Sequence, residues 1–189
     1  MLNLAPRART SNEKVVAPDA QPVSKYHPPK EAVGFSLSAS QESAEESCVG
    51  AGHEWAAKED AFTCSGTPVS VGSDARARLA FCGEKLCDLT VFVSFDGADK
   101  EADAQLLSIL KALNEKYGDP AKHETRGTAH CRSQGMVRCT ASGAAFLTRE
   151  WAWTGGEHIF MALKGKEGKA TLAVRYLTQK RPTPGAAAF

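Results

Sequence analysis

The sequence predicts an α+β domain in which two helices pack on an antiparallel sheet. Leu106, Ile109, Leu110 and Leu113 recur at helical spacing between Asp99 and Tyr117. A shorter stretch, Ala44, Cys48 and Ala51, shares one helical face. Around these lie runs of period two: residues 75–82 and 87–95, then 146–153, 158–163 and 170–177.

In chain order, Val33–Leu37 is predicted as a short strand. Ser40 then offers an N-cap hydroxyl, and Glu42, Glu45 and Glu46 suit the positive end of a helix, which Gly50 and Gly52 end. Next, Ala75, Ala77, Leu79 and Phe81 alternate with Arg76 and Arg78. After the polar turn Gly83-Glu84-Lys85, Cys87, Leu89, Val91, Val93 and Phe95 alternate in their turn, which predicts a hairpin. The second helix has Glu101 and Asp103 early, Lys111 and Lys116 late, and stops at Gly118 and Pro120. Thr154–Glu157 and Lys164–Lys169 read as turns between the later strands. Cys131 and Cys139 flank a turn-like stretch and are expected to close a hairpin. A helix followed by strands thus occurs at 40–95 and again at 99–177. A diverged tandem repeat is one reading of that layout, and an ordinary α+β domain is the other.

The ends differ in composition. Residues 1–31 hold Pro6, Pro18, Pro22, Pro28 and Pro29 with mixed charges, and read as a flexible Pro-rich tether. One folded domain is expected over 32–179, followed by a flexible tail over 180–189.

The 189 residues carry a formal net charge of +1, which argues against a nucleic-acid partner. No apolar run of about 18 residues is present, so no integral membrane segment is expected. At 42% apolar and 24% charged, the composition is globular. Six cysteines are the unusual feature, and three readings compete for them: disulfides, reduced buried thiols, or a structural metal. Parity and spacing favour disulfides, with Cys131–Cys139 the first candidate. The Leu79–Leu89 register puts Cys82 and Cys87 on opposite faces unless a bulge flips the parity. Cys48 and Cys64 complete the candidate set. Disulfides point to a periplasmic or secreted protein. Met1–Arg7, however, lacks the apolar stretch of a signal peptide, which leaves a removed signal, a displaced start or a cytoplasmic protein as explanations.

The segments Gly34-Phe35-Ser36-Leu37, Ser40-Gln41-Glu42-Ser43-Ala44-Glu45-Glu46 and Lys116-Tyr117-Gly118-Asp119-Pro120 resemble phrases in small bacterial cell-envelope proteins. The layout is similar to that of the β-lactamase inhibitor protein and of the small lipoproteins of the outer-membrane β-barrel assembly machinery. The matching phrases cover about a tenth of the chain, and the lipoprotein pattern's cysteine near the N-terminus is missing. The resemblance implies a non-catalytic envelope domain that binds another protein. It transfers no functional residue.

No catalytic, cofactor-binding or metal-ligating motif is found. The Gly-x-Ser-x-Gly elbow, the phosphate loop and the helical zinc motif are all absent. The acidic group Asp96, Asp99, Glu101 and Asp103 is explained by its place at a helix start. One binding face suggests itself: Arg149, Trp151 and Trp153 share a strand parity and form an aromatic-basic platform if exposed, or core if not. The expected function is therefore an exported, disulfide-stabilised, non-catalytic binding or accessory protein of the bacterial envelope, with another protein as partner and no cofactor. The rivals are a small hydrolase-type enzyme and a cytosolic protein with a structural metal.

Overall fold

The structure, a computed structural model, describes residues 26–178 apart from Ser73 and Thr128. Its strands are β1 (Glu31–Ala32), β2 (Phe35–Ser36), β3 (Trp55–Lys58), β4 (Ala61–Cys64), β5 (Ala75–Cys82), β6 (Lys85–Asp96), β7 (Lys122–Arg126), β8 (Phe146–Ala152), β9 (His158–Lys166) and β10 (Lys169–Leu177). Its helices are α1 (Gln41–Gly50), α2 (Ala102–Tyr117), α3 (Ala129–Gln134) and α4 (Met136–Ala141). Strands β3-β4-β5-β6-β10-β9-β8-β7 form one antiparallel sheet of eight, and β1–β2 a separate ribbon.

This corrects the predicted fold class. The molecule is mostly β, not two helices packed on a sheet, and the helix-plus-strands repeat falls with it. Short β3 and exposed β7 carry almost no alternation to detect. The expected hairpin at 131–139 is instead α3 and α4, where Val137, Thr140 and Ala141 are buried at helical spacing. The expected strand at Val33–Leu37 is also corrected. The chain turns back at Val33 and Gly34, both at positive φ (49° and 87°), as a two-residue hairpin loop demands.

Other elements follow local chemistry. The Ser40 hydroxyl caps α1 by accepting from the Ser43 N–H at 3.2 Å. Leu79 pairs with Leu89, and the register then shifts so that Ala80 faces Asp88 while Phe81 faces Leu86. Cys87 is the extra residue of that bulge, which carries it to the face of Cys82. Leu89, Val91, Val93 and Phe95 of β6 meet Ala170, Leu172, Val174 and Tyr176 of β10 in the core beneath Leu106, Leu110 and Leu113 of α2. Helix α4 comes so close to β9 that a Cβ at Gly165 would run into the Thr140 carbonyl.

Part of the expected tether is docked. Pro29 is buried, and the Tyr26 carbonyl accepts from Trp153 Nε1 at 2.6 Å. The rest of that tether, residues 1–25, and the expected tail over 180–189 lie outside the described residues. No helix among the described residues is long and apolar enough to cross a membrane.

All six cysteines are paired, Cys48–Cys64, Cys82–Cys87 and Cys131–Cys139, with Cα separations of 6.0, 5.6 and 5.6 Å. The first bolts α1 to β4, the second straddles the bulge, and the third joins α3 to α4. Alkylation of the unreduced protein, read by mass, is expected to find no free thiol. Chain entropy makes Cys48–Cys64, with its 16-residue separation, worth about 3 kcal/mol. Replacing both cysteines by Ala is expected to lower Tm more than the same change at Cys82 and Cys87, which are only 5 residues apart.

Burial, reinforced by the charge of Glu31, pushes the Tyr117 phenol from 10.0 up to about 12; burial raises Tyr176 as well. Both must stay protonated in the folded state, whereas unfolded tyrosines ionise near pH 10. Their contribution is thus complete below pH ~10 and is lost as pH rises through ~10–12. Over that window Tm is expected to fall while tyrosinate absorbance, recorded alongside, rises.

Candidate functional site

Strand parity divides the large sheet into two unlike faces. The core cluster takes the residues of one parity, and the helices lie on that side. The opposite parity faces away from the helices, and none of its side chains belongs to that core.

Registers place the outward side chains in rows. One row runs Lys122, Glu150, Phe160, Arg175, Thr90 and Arg78 across β7, β8, β9, β10, β6 and β5. The next runs Glu124, Thr148, Ala162, Ala173, Phe92 and Arg76 over the same strands. Small Thr and Ala side chains between long ones keep the middle shallow. Phe160 stands 43% exposed. The other two phenyl rings each carry a guanidinium: Arg76 lies 5.4 Å from the Phe92 centroid and Arg126 5.3 Å from that of Phe146.

Charge on this face is uneven. Arg175 grips Asp88 with Nε donating to both carboxylate oxygens at 2.9 and 3.1 Å, while Nη2 donates to Oδ2; these bonds hold the guanidinium pKa above its ordinary value. Glu150 lies 3.8 Å from Lys122 and 3.3 Å from His158 Nδ1. Arg78 meets Asp60 at 3.0 Å. Among the described residues, Arg76 and Lys164 have no ion-pair partner. Cations therefore outnumber carboxylates here, whereas Glu42, Glu45, Glu46, Asp99, Glu101 and Asp103 cluster at the helices. A net charge of +1 for the chain conceals this segregation.

The binding face expected from sequence lies elsewhere. Trp151 is 0% and Trp153 7% exposed, both in the helix-side core. Trp151 Nε1 donates to the Gly118 carbonyl at 2.8 Å. Arg149 shares their parity: its Nη1 donates to Asn114 Oδ1 at 3.2 Å, and burial pulls its pKa down against the charge of Asp119. The three form no platform. Phe92, Phe146 and Phe160, one register step away, hold the outward positions that the sequence reading missed. Their signal was the recurrence of Arg, Lys and Phe at the positions alternate to the core residues. The described residues contain no group of three or more His, Cys, Asp or Glu side chains placed to share a metal ion.

Trp151→Phe is expected to destabilise the protein by about 1–2 kcal/mol in denaturant melts, because it orphans the buried Gly118 carbonyl. Acrylamide is expected to quench half-buried Trp55 while sparing Trp151 and Trp153. Compared with known proteins, the chain matches no family model, no curated protein and no solved structure, so its reading rests on its own geometry.

Proposed function

We propose that this chain is an exported, disulfide-stabilised, non-catalytic binding or accessory protein of the bacterial cell envelope, and that it meets an acidic protein surface through the outward face of its sheet. The observation that carries this reading is the coincidence, on one face that no described element covers, of three phenyl rings with cations that have no ion-pair partner among the described residues. Aromatic and Arg side chains are the groups that anchor protein interfaces. Cations facing an acidic partner raise the association rate and select against basic ones. Three disulfides support residence in an oxidising compartment, where such bonds persist. The resemblance to small envelope proteins agrees with this reading and adds no residue to it.

A photo-crosslinking amino acid placed at Phe160, on the sheet, or at Leu107, 63% exposed on α2, tests the assignment in the producing cell. A protein adduct from position 160, absent from position 107 and suppressed by salt, is the expected result. The double change Arg76→Glu with Lys164→Glu is expected to weaken capture by about tenfold or more (~1.4 kcal/mol) at unchanged Tm. Equal adducts from both positions, or capture indifferent to the charge reversal, would remove the sheet face from the proposal.

A further inference from the structure

On the helix side of the sheet, packing between α2 and strands β6 and β10 leaves a cavity of about 420 Å³. Its floor is Val91, Val93, Leu172 and Val174, with Ile109 and Leu113 of α2 above. Val33 of the β1–β2 loop and Val71-Gly72 wall its ends. It opens along α2, where Ser108 and Ala112 are exposed. The Gln105 amide donates to the Val71 carbonyl at 3.2 Å and fixes the loop wall in place.

Three properties specify what fits. Val33, Val71 and Ile109 are half-buried, so the surface they leave open gains contacts from an apolar guest, over a floor whose valines and Leu172 are at most 5% exposed. The volume lies within the range of small-molecule sites, and the lining has their character, apolar with a few polar groups. Lys116 is the lining's one cation; no carboxylate lines the cavity, and the Glu31 side chain, whose charge reaches Tyr117, lies outside the lining. Its Nζ donates to the Glu31 carbonyl at 3.3 Å, which leaves N–H donors to spare.

We infer that this cavity binds a single-chain aliphatic carboxylate, with its tail along the valine and leucine floor and its head on the Lys116 ammonium. The site is independent of the outward sheet face: the floor residues belong to the opposite parity of the same strands.

Titration calorimetry of the full oxidised chain with hexanoate, octanoate and dodecanoate, each below its micellar range, tests the inference. Saturable one-to-one binding is expected, tightening about fourfold per added methylene until the cavity is filled. Ala112→Trp, at the exposed mouth, is expected to abolish binding while leaving Tm unchanged; Ser108→Trp serves as the second block should the first variant fold poorly. Lys116→Gln is expected to weaken dodecanoate by about fivefold to tenfold and to leave dodecanol unaltered. Unsaturable uptake, no dependence on tail length, or equal binding by the blocked variants overturns the site. Equal loss of dodecanoate and dodecanol in the Lys116 variant overturns the assignment of the head.

Discussion

The pairing of β6 with β10 is the interaction on which the rest of the structure depends. Asp88–Asp96 and Lys169–Leu177 match residue for residue over the full length of β10. That ladder joins a meander of β3 to β6 with a second of β7 to β10. Without it each meander would end in a long apolar edge, because β6 and β10 each carry a row of buried apolar residues along their length. With it, those edges become the middle of the sheet, and the outermost positions fall to short β3 and to exposed β7. The sequence Lys122-His123-Glu124-Thr125-Arg126 makes β7 a poor template for further strand pairing.

The disulfides act where this ladder cannot reach. Only Ala44 and Cys48 of α1 are buried, too little apolar surface to hold ten residues in place. The Cys48–Cys64 bond supplies the missing attachment. Helices α3 and α4 have six residues each, well below the length at which a helix is stable alone. Cys131–Cys139 ties them to each other, and Val137, Thr140 and Ala141 seat α4 on the sheet. Two of the three cross-links thus stand on the helices that bury least, whereas α2, with Ala102, Leu106, Leu110, Leu113 and Tyr117 buried, is held without a cross-link.

The parts legible in the sequence were those that express a strong period. The hairpin of residues 75–95 showed its alternation, its polar turn and the parity conflict between Cys82 and Cys87 that a bulge resolves. Helix α2 showed a continuous apolar stripe with charges ordered along it, and Gly118 at its end. What stayed hidden has physical causes. Lys58 and Ala61 are neighbours in a four-residue hairpin whose small, mixed side chains give no period. Cys131 and Cys139 suggested a closed turn; on one continuous helix their Cα atoms would stand about 12 Å apart, so the 5.6 Å separation requires the break at Gly135, where a positive φ splits the segment into two short helices. Arg149, Trp151 and Trp153 were placed correctly on one parity. The side they take follows from Tyr26 and Gly118, each remote in sequence, which supply the hydrogen-bond partners that make burial of the indoles tolerable, and from Asn114, which meets one nitrogen of the half-buried guanidinium.

The same pleat sets the relation between the two surfaces. Phe92 and Arg175 face outward on β6 and β10, while Val91, Val93, Val174 and Tyr176 face the cavity from neighbouring positions on those strands. A macromolecule on one side and an aliphatic guest on the other would thus lie back to back, a single sheet thickness apart. Proximity alone does not couple them, since coupling requires an element with two arrangements that both sites bias. The nine-residue ladder offers no such element: its register is pinned by an apolar parity that a one-residue slip would turn entirely outward. The rim is made of the Val71-Gly72 loop, held by Gln105, and the β1–β2 ribbon, held by Lys116. Neither belongs to the outward face, so the arrangement favours two sites that share strands and act independently.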